Sequence, residues 1–259
     1  MSLLEQAAKY YRNYGALRSV RKILTYPLLR LRRKQFRKSL EGQDPAVVFN
    51  RIHDSNIWGE SESRSGAGST LLSTKNVRAN LPIIFEKYQV RAFLDAPCGD
   101  YNWMQAVELP PGTTYTGGDI VPEIVRRNRE HHADAQHGFI ELNIIADDLP
   151  KADLMLCRDC LFHFSYRDTF RFFENFVRSG IPLLLTTTHT NTTAFRNKDI
   201  ATGDFRQIDL FSAPYFLPQD VLYRFDDRVP QSRPRDLCLW TSAQIASALE
   251  KARAAGATA

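Results

Sequence analysis

The sequence predicts an α/β protein with a mostly parallel sheet, and three observations support this. From residue 92 to residue 186, short apolar runs alternate with stretches of helical apolar spacing, which is typical of a parallel sheet covered by helices. Acidic residues, among them Asp95 and Asp119, stand where several apolar runs end. Two further β-rich runs, 221–226 and 237–241, flank a stretch with proline and arginine, which predicts a closing antiparallel hairpin.

The elements are predicted in the following order. Residues 49–65 are polar and contain Trp58, which predicts a loop, and apolar spacing over 69–88 predicts a helix kinked at Pro82. Residues 91–104, RAFLDAPCGDYNWM, predict a strand, a tight turn and a helix from Asn102. Strands are then predicted over 114–119, 139–143, 153–158 and 181–186, with helices over 121–131 and 166–178. Residues 187–220 lack a helical period and predict a long loop.

The charge distribution divides the chain in two. The 259 residues are 43% hydrophobic, enough for a sizeable core, and carry a net charge of +5. Residues 1–42 contain 11 Lys and Arg against Glu5 and Glu41, a net charge of +9, which leaves −4 for residues 43–259. We therefore predict a basic amphipathic helical extension, residues 1–42, before a main domain, residues 43–259.

The basic extension has two interpretations. It could bind an anionic membrane surface, to which each Lys or Arg contributes about 1 kcal/mol. It could equally be an ordinary capping or oligomerisation helix with a solvated basic face. Nucleic acid is not an expected partner, because the remainder of the chain is acidic and contains no recognised binding module.

Composition also indicates the compartment. No apolar run approaches the roughly 20 residues of a membrane span, and Lys and Arg interrupt the region where a signal peptide needs an apolar stretch. Four cysteines are too few for a disulfide scaffold and fit a reducing environment. A cytoplasmic location, peripheral on the inner membrane face if the extension binds lipid, is the expectation.

Five separated segments resemble a known family. They are FNRIHDSNIWGESESRSGAGS, FLDAPCGDYNWM, YTGGDIV, LMLCRDCLFHFS and LLLTTTHT. In this order, over residues 47–241, they resemble class I S-adenosylmethionine-dependent methyltransferases, and more narrowly a bacterial group associated with surface-polysaccharide biosynthesis. The resemblance implies a Rossmann-like fold, with a seven-stranded sheet that ends in an antiparallel hairpin, and S-adenosyl-L-methionine as cofactor. The turn DAPCGD departs from the family by keeping a single glycine, Gly99, where many relatives have two or three.

Cofactor-binding residues are expected at the strand ends, where open α/β sheets bind ligands. By resemblance, Asp95 would hold the methionine end of the cofactor, together with backbone groups of Ala96 and Gly99. The alternative is that Asp95 merely caps the following helix. Asp119 ends the next strand, and its carboxylate can accept two hydrogen bonds from a ribose diol, with Ile120 beside it.

Three further residues complete the predicted cofactor site. Asn143 stands where relatives usually have an Asp that faces the adenine amino group, and an amide oxygen can accept that hydrogen bond too. Ile144 would then offer its backbone and an apolar wall, although a strand-end turn is the simpler interpretation of both residues. Arg158 could pair with a carboxylate or phosphate, or simply with Asp159.

The segment after the fourth strand is expected to meet the acceptor. Methyl transfer from a sulfonium is an in-line displacement, so the acceptor oxygen, the methyl carbon and the sulfur must be aligned. His163 is the candidate general base, because an imidazole with a pKa of about 6.5 can accept a proton at neutral pH. Asp159 would orient His163 or bind acceptor hydroxyls. The alternative is a purely structural histidine.

No metal site is predicted. Cys157 and Cys160 form a CxxC pair, but no second pair accompanies them and Cys157 belongs to a predicted buried strand. A divalent metal held by Asp159 and a loop carboxylate is left open. A second group of polar residues precedes the strand at 139 and is interpreted as a solvated loop: His131, His132, Asp134 and His137.

The long loop is the candidate acceptor site, because such loops are usually functional or disordered. The predicted acceptor-binding residues are Trp58, which lies before the domain's first strand, and, within the loop, His189, Asn191, Asp199, Thr202, Arg206 and Asp209. Apolar or sugar-stacking surface is expected from Phe205, Phe211, Tyr215 and Phe216. The alternative is a polar surface loop anchored by its aromatics. Residues 58–69 are predicted to close the site from the other side.

The sequence and its resemblance to this family thus predict an S-adenosylmethionine-dependent O-methyltransferase for a hydroxylated acceptor, and the expected acceptor is a sugar of a surface glycan or its lipid-linked precursor. The sequence leaves two alternative functions open. One is a Rossmann-type NAD-dependent oxidoreductase, which the missing GxGxxG pattern disfavours. The other is a noncatalytic cofactor-binding adaptor at the membrane. The oligomeric state is open.

Overall fold

The computed structural model describes residues 35, 38–191, 194–227 and 232–257. The chain divides into two compact units, Met1–Gly42 and Gln43–Ala259, and the sheet and the candidate site belong to the second. The predicted basic extension, residues 1–42, lies almost wholly outside the described residues, so its helical structure and its membrane affinity stay predictions. In the described parts of the chain, no helix combines the length and the apolar character needed to cross a membrane.

The second unit alternates helices and strands. Its α-helices are α1 Pro45–Asp54, α2 Lys75–Lys87, α3 Pro122–His132, α4 Tyr166–Ser179 and α5 Ser242–Ala254. Its strands are β1 Ala92–Asp95, β2 Thr114–Asp119, β3 His137–Glu141, β4 Leu154–Cys157, β5 Leu183–His189, β6 Tyr223–Asp226 and β7 Arg235–Thr241. Short 3-10 helices cover Ala67–Ser69, Met104–Ala106 and Leu161–His163.

The strands form one seven-stranded sheet in the order β3-β2-β1-β4-β5-β7-β6. The pairs from β3 to β5 are parallel, and β7 runs antiparallel to both of its neighbours. The predicted mostly parallel sheet with a closing antiparallel hairpin is therefore confirmed. Strand order reverses direction between β1 and β4, and open α/β sheets bind ligands at the carboxyl edge of such a switch point.

Alternation along the central strands creates a core on both faces of the sheet. In β4, Leu154 and Leu156 pack in one apolar cluster, whereas Met155 and Cys157 pack in the other. This is the two-residue period of a strand that is buried on both sides. Aromatic residues of α4, such as Phe172, cover one face, and apolar residues of α2 cover the other. Buried on both faces, the strands hold the site at their carboxyl edge rigidly.

The predicted loop over 49–65 is wrong in its first third, which belongs to α1. Asp44 caps this helix by accepting a hydrogen bond from the Ala46 backbone N–H, and Pro45 follows at the first turn. Proline suits that position because its missing N–H would have no intrahelical partner there. Val48 and Ile52, four residues apart, are the buried face.

Three other predicted boundaries are corrected. The helix predicted over 69–88 begins only at Lys75, and Leu72 is 72% exposed rather than part of its buried face. The helix predicted from Asn102 is reduced to the 3-10 turn Met104–Ala106, and the Asn102 side-chain amide donates to Glu62 and to the Ser69 carbonyl. Strand β5 continues to His189, which removes this residue from the predicted loop.

Helix α5 is absent from the sequence prediction, although its signal is present. Thr241 accepts a hydrogen bond from the Gln244 N–H, and the Gln244 side chain accepts one from the Thr241 N–H. This capping box satisfies two backbone donors at the start of the helix. The pattern Thr-x-x-Gln before an apolar stretch could have predicted α5.

Candidate functional site

A deep cleft opens at the carboxyl edge of β1, β2 and β4. It holds about 1090 Å3 of empty space, counting the part open to solvent. Ten of the predicted site residues line it: Trp58, Asp95, Gly99, Asp119, Ile120, Asn143, Ile144, Arg158, Asp159 and His163.

Asp95 lies at the end of β1, buried at 2% exposure. Its carboxylate accepts a hydrogen bond from the Tyr115 hydroxyl at 3.0 Å. Burial raises the pKa of Asp95 to about 7, although Tyr115 and Arg158 act in the opposite direction. Burial disfavours the charged form of this carboxyl group, because that form loses its solvation. A bound cation would stabilise the charged form in place of water. Neighbouring Ala96 is fully buried and does not line the cleft.

Asp119 lies at the end of β2 and bridges two turns. One carboxylate oxygen accepts the Gly99 N–H at 3.0 Å, and the other accepts the Val121 N–H at 3.0 Å. Burial raises the pKa of Asp119 to about 6, against the lowering effect of these two N–H groups. The two N–H groups therefore fix the carboxylate in position. Each of its oxygens keeps a lone pair that can accept a further hydrogen bond.

Gly99 shows why this turn retains a glycine. Its φ angle is +56°, a conformation that other residues adopt at a cost, and a Cβ atom here would lie 2.4 Å from the Ser65 hydroxyl oxygen. Ser65 also lines the cleft. The single glycine of DAPCGD thus lets residues 63–65 pack directly on the turn.

Asn143 follows β3, which ends two residues earlier than predicted, at Glu141. Its side-chain oxygen accepts the Ile145 N–H at 3.1 Å, which makes it a turn residue as well as a lining residue. Ile120, Ile144 and Leu142 line the same part of the cleft and supply an apolar wall. Polar Asn143 beside that wall suits a flat heteroaromatic ring with an exocyclic amino group.

His163 ends the 3-10 helix that follows β4, and it lines the cleft. Its Nδ1 lies 2.7 Å from the Asp204 carbonyl oxygen. A carbonyl only accepts hydrogen bonds, so Nδ1 carries the proton and Nε2 of the neutral ring carries the basic lone pair. Trp58 stacks on the imidazole, with the ring centroids 4.5 Å apart. Both features fix the ring plane.

Asp159 follows β4 with a φ angle of +55°. Its carboxylate pairs with Arg235 at 2.7 Å and lies 3.6 Å from Arg158. Burial works to raise the pKa of Asp159, but the two arginines together hold it below its usual range. The two guanidinium groups engage the Asp159 carboxylate, and an orienting role of Asp159 toward His163 stays a prediction.

Arg158 is occupied in the same buried network. Its guanidinium donates to both carboxylate oxygens of Asp227, at 3.0 and 3.1 Å, and to the Gly68 carbonyl at 2.9 Å. Arg235 also approaches Asp227, at 3.3 Å. Two arginines therefore neutralise two aspartates, and Arg158 acts mainly as a support behind the cleft.

Replacing Asp227 by Ala is expected to lower the free energy of unfolding by about 3–5 kcal/mol, because Arg158 would keep its burial and lose its main partner. Urea denaturation measures the change. Asp220→Ala, at an exposed aspartate, is the control and should stay within about 0.5 kcal/mol of the parent. A similar small effect for both variants would contradict the assigned support role.

None of the six predicted acceptor-binding residues from the long loop and the end of β5 lines the cleft: His189, Asn191, Asp199, Thr202, Arg206 and Asp209. Asp199 accepts the Tyr166 N–H at the start of α4, and Asp209 accepts the Phe211 N–H within a turn. The buried Arg206 guanidinium donates to Thr169 and Tyr215. These bonds fold the loop against the domain.

Of the CxxC pair and the histidine cluster, only Cys160 lines the cleft. Cys157 and Cys160 are buried free thiols, as are the other two cysteines. The histidine cluster around His137 lies at the start of β3 and lines a separate surface depression. Among the described residues, no group of three or more His, Cys, Asp or Glu side chains is placed to hold a metal ion.

The lining residues that the sequence prediction missed include Phe49, Ile52 and His53 of α1. The Asp44–Pro45 start and the four-residue spacing of Val48 and Ile52 could have predicted the helix. Arg64, Ser65 and Ser69 belong to residues 58–69, which were predicted to close the site, and all three line the cleft.

Comparison with known proteins supports the fold. No family model matches the sequence, and neither does any curated protein. The fold is similar to that of human N-acetylserotonin methyltransferase in complex with S-adenosylmethionine (TM-score 0.51, 15% identity), over 76% of this chain but only 60% of that one, less than two thirds of its length.

Two further structures match over nearly their whole length. Magnesium protoporphyrin IX methyltransferase from Synechocystis PCC 6803 with bound S-adenosylhomocysteine has a TM-score of 0.52 and 14% identity, over 76% of this chain and 99% of that one. The N-methyltransferase NodS from Bradyrhizobium japonicum WM9, also with S-adenosylhomocysteine, has a TM-score of 0.53 and 12% identity, over 76% and 98%. The chain therefore has the predicted Rossmann-like fold of class I methyltransferases.

Proposed function

We propose that this chain is an S-adenosylmethionine-dependent O-methyltransferase that acts on a hydroxylated acceptor. One observation carries the proposal: Asp95, Asp119 and Asn143 follow three adjacent strands and line the same cleft as His163. The fold alone would not suffice, since one fold hosts many activities. The three structurally similar methyltransferases described above nevertheless contain bound S-adenosylmethionine or S-adenosylhomocysteine.

The residues fit the cofactor part by part. Asp95, whose pKa burial raises to about 7, suits an ammonium group. Asp119 presents a carboxylate already held by two backbone N–H groups, which suits a ribose diol. Asn143, with Ile120 and Ile144 beside it, suits adenine. When bound, S-adenosylmethionine supplies an activated methyl group on a sulfonium.

His163 then acts as the general base. Its Nδ1–H is held by the Asp204 carbonyl, so Nε2 accepts the proton of the acceptor hydroxyl as the oxygen attacks. The apolar ring of Trp58 covers the imidazole and limits access of water to it. The cleft also contributes to methyl transfer by aligning the acceptor hydroxyl with the methyl group and the sulfur of the cofactor.

Aromatic surface beside His163 favours a sugar as the acceptor. Trp58 stacks on the imidazole, and Phe205, which is 51% exposed, packs against it with the ring centroids 5.9 Å apart. Exposed aromatic faces suit the apolar face of a sugar ring. A glycan or its lipid-linked precursor remains our proposal on this ground and on the family resemblance. Attachment to an anionic membrane through residues 1–42 rests on charge alone.

Cofactor binding is expected to depend on pH. The ammonium group of S-adenosylhomocysteine favours ionised Asp95, so its affinity should rise about tenfold between about pH 6 and about pH 8, as a carboxyl group with a pKa of about 7 loses its proton. Asp119, with a pKa of about 6, acts in the same direction. Isothermal titration calorimetry measures both the affinity and the proton release.

The variant Tyr115→Phe and the competing ligand NAD provide two further tests of this pH dependence and of the cofactor. The Tyr115 hydroxyl lowers the pKa of Asp95, so Tyr115→Phe should move the rise in affinity to higher pH, whereas Arg158 and Asp119 stay in place beside it. An affinity that falls with rising pH would contradict the Asp95 assignment. Binding of NAD with no binding of S-adenosylhomocysteine would favour the oxidoreductase instead.

A further inference from the structure

Asp100 follows the cofactor turn but does not line the cleft. Its carboxylate contacts three consecutive residues of the segment that precedes α2. The Ser63 hydroxyl lies 3.0 and 2.9 Å from its two oxygens, the Arg64 N–H donates at 2.8 Å, and the Ser65 hydroxyl donates at 3.1 Å. In return, the Asp100 N–H donates to the Ser65 oxygen at 2.9 Å.

A second set of hydrogen bonds connects the segment that precedes α2 to the turn at Asn102, two residues after Asp100. The Glu62 carboxylate accepts the Leu71 N–H at 2.6 Å and the Asn102 amide at 2.9 Å. The Asn102 amide also donates to the Ser69 carbonyl at 3.0 Å. Residues 58–69, which we call the strap, are thus bonded to the turn at Asp100 and again at Asn102.

The strap forms one wall of the cleft. Trp58, Arg64, Ser65 and Ser69 line it. Trp58 stacks on His163, and the Gly68 carbonyl accepts from Arg158. A shift of the strap would therefore change the enclosure of the cofactor and the environment of the proposed base together.

We propose that Asp100 is a positioning residue, which latches the strap onto the cofactor turn and so retains the cofactor in the cleft. The inference rests on the proposed function, since it assumes that the cleft holds S-adenosylmethionine. Asp100 contributes through Ser63–Ser65 rather than by contact with the ligand. Its loss should act mainly on the rate at which the ligand leaves, because the wall that encloses the ligand is no longer held.

The test compares Asp100→Asn with Asp153→Asn. Asp153 is a matched control, because its carboxylate also accepts backbone N–H groups, those of Arg91 and Ala92, at 2.8 Å each, and it does not line the cleft. Stopped-flow displacement of bound S-adenosylhomocysteine gives the dissociation rate. We expect Asp100→Asn to raise this rate about tenfold, since the bonds from its three donors lose the charge of their acceptor, and Asp153→Asn to leave it within about twofold of the parent.

The double variant Ser63→Ala, Ser65→Ala gives an independent reading if Asp100→Asn folds poorly. It removes the two hydroxyl donors and leaves the carboxylate, and it should also raise the dissociation rate. Equal dissociation rates for the parent and both latch variants would overturn the inference, and so would an equal increase in Asp153→Asn. Failure of the parent chain to bind S-adenosylhomocysteine at all would instead refute the proposed function.

Discussion

Replacing His163 by Ala is expected to lower the rate constant kcat of methyl transfer by about 10²- to 10⁴-fold, the range that a positioned general base contributes. The acceptor hydroxyl would then have to lose its proton to water while the oxygen attacks. Affinity for S-adenosylhomocysteine should change little, because the proposed cofactor contacts lie at the other strand ends. Transfer of a labelled methyl group to a panel of hydroxylated acceptors, sugars included, measures the rate.

His163→Phe separates base chemistry from packing. Phenylalanine can keep the stacking on Trp58 but cannot accept a proton, so we expect it to be as inactive as the alanine variant. His132→Ala, in the surface cluster, is the control and should retain the parent rate. Normal methylation by His163→Phe would show that the imidazole has only a packing role.

Replacing Asp119 by Asn should weaken S-adenosylhomocysteine binding by about a hundredfold. The amide keeps one acceptor oxygen and loses the charge, so the hydrogen bonds with the ribose diol would weaken by a total of about 3 kcal/mol. The Asn side chain would also place an N–H group against the Gly99 or the Val121 N–H, which the carboxylate now accepts. Calorimetry checks the loss.

A truncated ligand distinguishes the two carboxylates. 5′-Methylthioadenosine keeps the ribose and lacks the amino acid, so Asp119→Asn should weaken both ligands, whereas Asp95→Asn should weaken only S-adenosylhomocysteine. Asp134→Asn, at an exposed aspartate that also accepts backbone N–H groups, is the control. If Asp119→Asn and Asp134→Asn bind both ligands equally well, Asp119 does not hold the ribose.

Sequence patterns predicted the parts of the site that lie on the sheet. Asp95, Asp119 and the residues after β4 follow short apolar runs, and parallel strands place their carboxyl ends at one edge. The same argument failed for His189, because β5 runs on three residues beyond the predicted end at Thr186. Strand ends depend on pairing with neighbours, here with β7 through Arg235, which local apolar runs do not report.

The roles of charged residues were harder to predict. The sequence around Asp159 did not indicate its partner Arg235, which donates a hydrogen bond to the Asp159 carboxylate and lies 76 residues away in the chain. Arg158 likewise pairs with Asp227, 69 residues away. Such pairs form only in the folded chain, because a buried charge is stable only beside an opposite charge, and that charge can come from a distant part of the sequence.

By itself, the sequence determined the α/β class, the order of the strands along the chain, the closing hairpin and the polar residues at the ends of β1 and β2. These follow from local apolar periodicity and from turn residues, which act over a few neighbouring positions. Only the tertiary structure decided that α1 lines the cleft, that Gly99 must admit Ser65, and that Asp100 binds Ser63–Ser65. Those contacts join residues 34 or more positions apart, and no local pattern encodes such a distance.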